Sequence, residues 1–207
     1  MKTTSTPVIV TVDPKLPDFC NRPRRINLEQ LVAIKGYGKL IIRPIRQEDE
    51  DEMVRFHQRT PEESIYMRYF EYLGLDRRTS HERLARICKN SSESYALVVE
   101  RPAFRARIAA ILAVGRLTKT TKPLVATFDT LIAEENETSK LAKVLITRLI
   151  KLARAFGFEV LTSELLLADY DTLTLCRSLG FTLKSLPEGG MVRVTLGLTR
   201  EIAPKAR

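Results

Sequence analysis

Residues 123–157 read PLVATFDTLIAEENETSKLAKVLITRLIKLARAFG, a strand, a polar turn and a long helix in succession. Leu124, Ala126, Phe128, Thr130 and Ile132 fall on one face of a strand from Pro123 to Ala133. Val125, Thr127, Asp129, Leu131 and Ala133 fall on the other, the two-residue period of a half-buried strand. After Glu134-Glu135-Asn136-Glu137 a helix opens near Thr138 or Ser139, either of which can cap exposed N–H groups. Leu141, Leu145, Leu149, Leu152 and Phe156 recur at helical spacing, with Val144, Ile146 and Ala153 beside them. Lys151 and Arg154 suit the negative end of the helix dipole, and Gly157 supplies the stop. A strand that feeds a helix through a short turn aims free N–H groups beyond the strand's end, where a phosphate could sit.

Working outward, Leu40 to Pro44 read as a strand, and Glu48 to Glu52 as the acidic first turn of a helix. That helix continues through Met53, Val54, Phe56 and His57, the histidine taken as a surface or packing residue. A second helix follows Thr60-Pro61, and Ser80 caps a third with Leu84, Ala85 and Ile87 inward. Tyr95–Glu100 and Ile108–Leu117 read as strands. Glu159–Leu167 is so nearly continuous in apolar residues that it should be buried on both faces. Asp169–Leu179 reads as a helix stopped by Gly180, and Phe181–Lys184 and Met191–Leu198 as a hairpin around residues 187–190. The order predicts an α/β fold, a mixed sheet with helices on both faces. It forms a single domain over 39–199, after a poorly ordered extension over 1–38 and before a tail over 200–207. Prolines break the extension, leaving it one short helix over Leu28–Ile34.

A net charge of +9 fits nucleic acid, an acidic membrane surface or a nucleotide-containing cofactor, and equally a solvated basic surface. Nucleic acid is disfavoured because no aromatic residues interleave with Arg22, Arg24 and Arg25. Cys20, Cys88 and Cys176 lack metal-ligand spacing, and two histidines are too few for a histidine-rich metal centre, so no metal is expected. Val8-Ile9-Val10 is too short for a secretory core and no run approaches a membrane span, which makes the cytoplasm the expected compartment.

Several stretches resemble the GNAT acyltransferase superfamily. Leu40 to Glu50 looks like its opening strand and helix start. Glu63-Ser64-Ile65-Tyr66-Met67-Arg68-Tyr69-Phe70 resembles the ESIYxRFF segment of GNAT domains fused to ADP-forming acyl-CoA-synthetase-like parts in bacterial protein-lysine acetyltransferases. Leu149 to Gly157 and Leu179-Gly180-Phe181 match the later helix and the family's closing GF. The resemblance implies acetyl-CoA as cofactor and an amine, a small molecule or a protein lysine, as acceptor. It places the thioester on backbone groups near Leu131, Ile132 and Ala133, and the pyrophosphate on the helix start at Thr138, Ser139, Lys140, Leu141, Ala142 and Lys143. The family's Gln/Arg-x-x-Gly-x-Gly/Ala motif falls on Glu137 to Ala142, where Lys140 replaces the central glycine and Glu137 the Gln or Arg. Where those lysine acetyltransferases carry a catalytic glutamate this chain has Thr127, so Asp129, two residues on along the same face, and Glu164 are the candidate bases. On the following helix Asp169 stands for the family's asparagine, and Cys176 for the tyrosine that protonates the leaving thiolate. These replacements leave two readings open, an N-acyltransferase and a GNAT-like binding or regulatory module without chemistry.

Overall fold

A computed structural model describes residues 17–20, 26–104, 108–133, 138–187 and 189–198. Its centre is one eight-stranded sheet in the order β1-β2-β3-β4-β5-β6-β8-β7. The strands are β1 (Gln30–Ile34), β2 (Gly38–Pro44), β3 (Ser94–Arg101), β4 (Ala110–Lys119), β5 (Val125–Ile132), β6 (Val160–Leu166), β7 (Thr182–Ser185) and β8 (Met191–Gly197). All neighbours are antiparallel except β5 and β6. A parallel neighbour needs a crossover, and the helix α5 (Thr138–Phe156) supplies it.

The alternation along β5 sorts two cores to the two sides of the sheet. Ala126 and Phe128 join Leu141, Leu145 and Leu149 of α5, while Leu131 and Ala133 join Met53, Phe56, Ile65 and Leu84. The second group lies under four short helices: α1 (Glu50–Arg59), α2 (Glu62–Tyr69), α3 (Leu75–Thr79) and α4 (His81–Ile87). At Gly115 of β4, a Cβ would come within 2.9 Å of Leu145 and Leu149, so a side chain there would push α5 off the sheet. α5 ends at Gly157, whose φ of 92° is the left-handed stop that glycine takes without strain.

The structure corrects the reading of the chain's first third. Gln30–Ile34 is a strand, not a helix, and it pairs residue for residue with Gly38–Ile42. Five residues rich in β-branched and apolar side chains are too few for a stable helix but enough for an edge strand. The tight return uses Gly36 and Gly38 at φ of 97° and 78°. The sheet therefore starts inside residues 1–38, and Phe19 is also docked, 4% exposed, against Tyr95, Phe156 and Phe158. Arg22, Arg24 and Arg25, Glu134 to Glu137 and the tail lie outside the described residues.

β6 is also not buried on both faces. Leu161 and Ser163 are covered, but Thr162 and Leu165 are only partly so and Glu164 is exposed. One edge of this strand borders an open cleft.

Candidate functional site

β5 and β6 pair at Val125–Val160, Ala126–Leu161 and Thr127–Thr162, and then part. β5 stays with β4 as far as Ile132, while β6 stays with β8 as far as Leu166. Each strand thus keeps an outer partner and loses the inner one. A cleft of about 780 Å³ opens between them, walled by α2, by the first turns of α5 and by α6 (Tyr170–Ser178).

The cleft gathers most of the residues singled out from sequence. Asp129, Leu131 and Ile132 come from β5, Glu164 from β6, Asp169 from the α6 cap, and Ser139 and Ala142 from the start of α5. Asp129 faces α2, where an Arg68 guanidinium nitrogen lies 2.6 Å from its Oδ2; both side chains are about a quarter exposed, at 25% and 27%. Arg68 also lies over the Tyr69 ring, 4.8 Å from its centroid, and Arg83 lies over the same ring at 5.1 Å. Across the sheet Asp129 is in register with Arg116, whose guanidinium donates to the carbonyl of Ile87 and to Ser94 Oγ. Burial holds the Arg116 pKa below its ordinary value, and the Asp129 charge opposes that shift.

Glu164 is in register with Arg193 of β8, which donates to Oε1 from Nε at 3.2 Å and from Nη2 at 2.6 Å. Both contacts end on one oxygen. Asp169 caps α6 by accepting from the Thr172 N–H at 3.1 Å.

At α5 the expected cofactor residues divide. Ser139 and Ala142 line the cleft, Leu141 is fully buried in the core, and Lys143 is exposed away from the lining. Thr138 opens the helix. Lys140 does not line the cleft; its Nζ donates to the carbonyl of Lys35, in the turn between β1 and β2, at 3.4 Å. Ala133 lies just past the end of β5, buried under the α1–α4 layer, and its N–H donates to the carbonyl of Leu112.

Cys176 is the clear correction. It is fully buried beside Leu173 and Leu175 in the α5-side core and does not reach the cleft, so it cannot meet a leaving group there. Burial, reinforced by Asp169, pushes its thiol up to about 12. Thr127 does line the cleft, and its hydroxyl donates to the carbonyl of Thr118 at 3.3 Å.

No protein-family model matches this sequence. Solved structures do. The GNAT domain of S. lividans PAT superposes with a TM-score of 0.71, at 22% identity over 83% of this chain and 97% of that one. This chain has the GNAT fold. Salmonella typhimurium yncA, solved with acetyl-CoA, superposes at a TM-score of 0.57 and 16% identity, over 81% of this chain and 99% of its own. The spermidine N-acetyltransferase of Vibrio cholerae, in complex with CoA and spermine, gives 0.59 and 17%, over 78% of this chain and 96% of its own.

Within this GNAT fold the cleft also holds residues to which the sequence alone assigned no role in the site. Arg193 pairs with Glu164, and the strand alternation of β8 would have exposed it once the β6–β8 register was known. Glu63, Ser64, Met67 and Phe70 enter from α2 and its end, and Tyr170 and Asp171 from the start of α6. Phe70 caps α2 at φ 59° and is 42% exposed; Tyr170 is 70% exposed. A left-handed phenylalanine leaves no trace in composition or periodicity.

Proposed function

We propose that this chain is an acyl-CoA-dependent N-acyltransferase, moving an acetyl group to an amine. The observation that carries this reading is the parting of β5 from β6, which leaves an unpaired strand edge running toward the opening turns of α5. The residues present fit such a cofactor. Ser139 and Ala142 are small and leave the helix start open to the cleft, while the Lys140 stem is drawn off toward Lys35. The inner edge of β5 at Leu131 and Ile132 would hold the amides of the pantetheine arm. The α5 start, at Ser139 and Ala142, would receive the diphosphate, where N–H groups and dipole both favour anions. When bound, the cofactor supplies an activated acyl carbonyl.

The chain's own part is to hold the amine and take its proton. Glu164 is the better base of the two expected carboxylates. Arg193 engages only its Oε1, and the pair is about half exposed, so Oε2 is open to an incoming ammonium. Asp129 is more enclosed and its Oδ2 is tied to Arg68, which leaves it less open to an incoming ammonium. No covalent enzyme intermediate is needed, and Cys176 has no part.

The second reading, a binding module without chemistry, draws on Thr127 at the usual base position and on the enclosed Asp129–Arg68 pair. Calorimetry and thermal shift with acetyl-CoA test what both share. At a hundredfold excess over Kd the fold should gain about 2.7 kcal/mol. Silence at millimolar acetyl-CoA overturns the acyltransferase. Acceptor-dependent release of CoA then separates the two readings: Glu164→Gln should slow it roughly 10²–10⁴-fold while leaving acetyl-CoA affinity in place. Release no faster than without enzyme favours the module.

A further inference from the structure

The chain carries a net charge of +9, yet its cleft is acidic. Glu63, Asp129, Glu164, Asp169 and Asp171 line it, against Arg68 and Arg193. Both arginines are committed, each to one of those carboxylates at 2.6 Å. Among the described residues no ion pair is seen for Glu63, Asp169 or Asp171, so the excess negative charge is not neutralised from within. Glu63 and Asp171 lie in the first turns of α2 and α6, where a carboxylate interacts favourably with the helix dipole.

The charge is also unevenly placed. The carboxylates come from α2, β5, β6 and α6, while the lining from α5, the end suited to an anion, is the uncharged Ser139 and Ala142. Phe70 and Tyr170 stand exposed at the same cleft, and aromatic faces attract cations as well as methylene chains. The splayed strands define the site; the carboxylates decide what charge its second occupant must have.

We infer that the acceptor is an amine carrying at least one further positive charge beyond the reacting nitrogen, a cationic chain with spaced ammonium groups. This assignment rests on the acyltransferase reading for its chemistry, but not for its binding. Two sources supply such a chain, a free oligoamine and a lysine flanked by basic residues in a peptide. Each ammonium–carboxylate contact in a half-open cleft is worth only a modest factor, so the effect should build with charge and fade with salt.

The test measures binding by calorimetry, at low and high ionic strength, for butylamine, putrescine and spermidine, and for hexapeptides with one lysine flanked by arginines or by glutamates. Affinity should rise at least threefold with each added positive charge, and the ladder should flatten in high salt. Glu63→Gln with Asp171→Asn should lower spermidine affinity about tenfold. Binding of spermidine alone assigns a free oligoamine and binding of the basic peptide alone assigns a protein segment; either supports the inference. Equal affinity for butylamine and spermidine, or preference for the glutamate-flanked peptide, overturns it. The acetyl-CoA melting shift is read in the same samples. A ladder without that shift supports the cationic acceptor site and sinks acyl transfer, while a shift without a ladder overturns the acceptor assignment alone.

Discussion

Two arginine–carboxylate groups on the α1–α4 side of the sheet use the same chemistry for different ends. Arg43 of β2 reaches Asp49 through Nη1 at 2.8 Å and Nη2 at 2.7 Å, Glu100 through Nε at 2.5 Å, and the Pro44 carbonyl at 3.1 Å. Asp49 in turn accepts the Arg46 N–H at 2.8 Å, closing the entry to α1. The Arg43 and Asp49 side chains are each only 9% exposed. Burial works against the charge on Arg43, but the two carboxylates more than offset it and hold its pKa above the ordinary value. Arg68 and Asp129 make a single ion contact, each about a quarter exposed and facing the cleft. A guanidinium whose donors are nearly all used is a strut. One that keeps donors and acceptors turned toward a cavity can respond to what enters it.

The comparison breaks first at the strut. Arg43→Met leaves the buried Asp49 and the partly buried Glu100 without a counter-charge, and should cost about 3–5 kcal/mol by urea unfolding at pH 7. Adding Glu100→Met to Arg43→Met should recover part of the loss, because one stranded charge goes with it. A loss below about 1 kcal/mol for the single variant would show the triad to be as dispensable as a surface pair.

A smaller effect is expected at the buried histidine beneath the same helices. His57 is 1% exposed, neither ring nitrogen has a hydrogen-bond partner among the described residues, and Arg78 and Arg83 lie near it. Arg78 donates to the His57 carbonyl and pairs with Glu62. Burial, with the two arginines adding to it, lowers the His57 pKa from 6.5 to about 4. Because the folded value lies below the unfolded one, the unfolded chain takes up the proton first as pH falls. Stability from this site is whole above about pH 6.5 and is lost progressively toward pH 4, on the order of 3 kcal/mol in all. His57→Leu should remove that part of the pH dependence when unfolding is compared at pH 7 and pH 4.5. An unchanged slope would mean that the histidine is not held neutral.

These regions differ as much in how legible they were from sequence. The β5–α5 unit could be read because alternation and helical period each run long enough to be unambiguous, and with it came the two-sided sheet. Asp129 followed from the same alternation, and Glu164 from one carboxylate interrupting an apolar strand. β1 was missed because five residues carry no period, and the Gly36 and Gly38 return was the only signal available. Cys176 was misplaced because a short amphipathic helix offers both a core and a cleft side, and spacing does not say which is which. Arg193 and Phe70 depend on a strand register and on one backbone angle, neither of which is written locally. His57 was assigned to packing or the surface, and its burial against arginines from other helices follows only from how α1, α3 and α4 meet.

The finest test of the comparison is Arg68→Met. If the Arg68–Asp129 pair belongs to the site and not to the frame, its removal should cost about 1 kcal/mol or less, as for other partly exposed pairs. Asp129 would not be stranded, since Arg116 stays opposite it on β4. The Tyr69 ring would keep Arg83 on it, so the α2 wall should stand. The same change removes one of the two positive charges lining a cleft already rich in carboxylates, so spermidine should bind more tightly while the melting temperature barely moves. A loss near that of Arg43→Met would make the two pairs equivalent struts, and Asp129 would then be part of the scaffold.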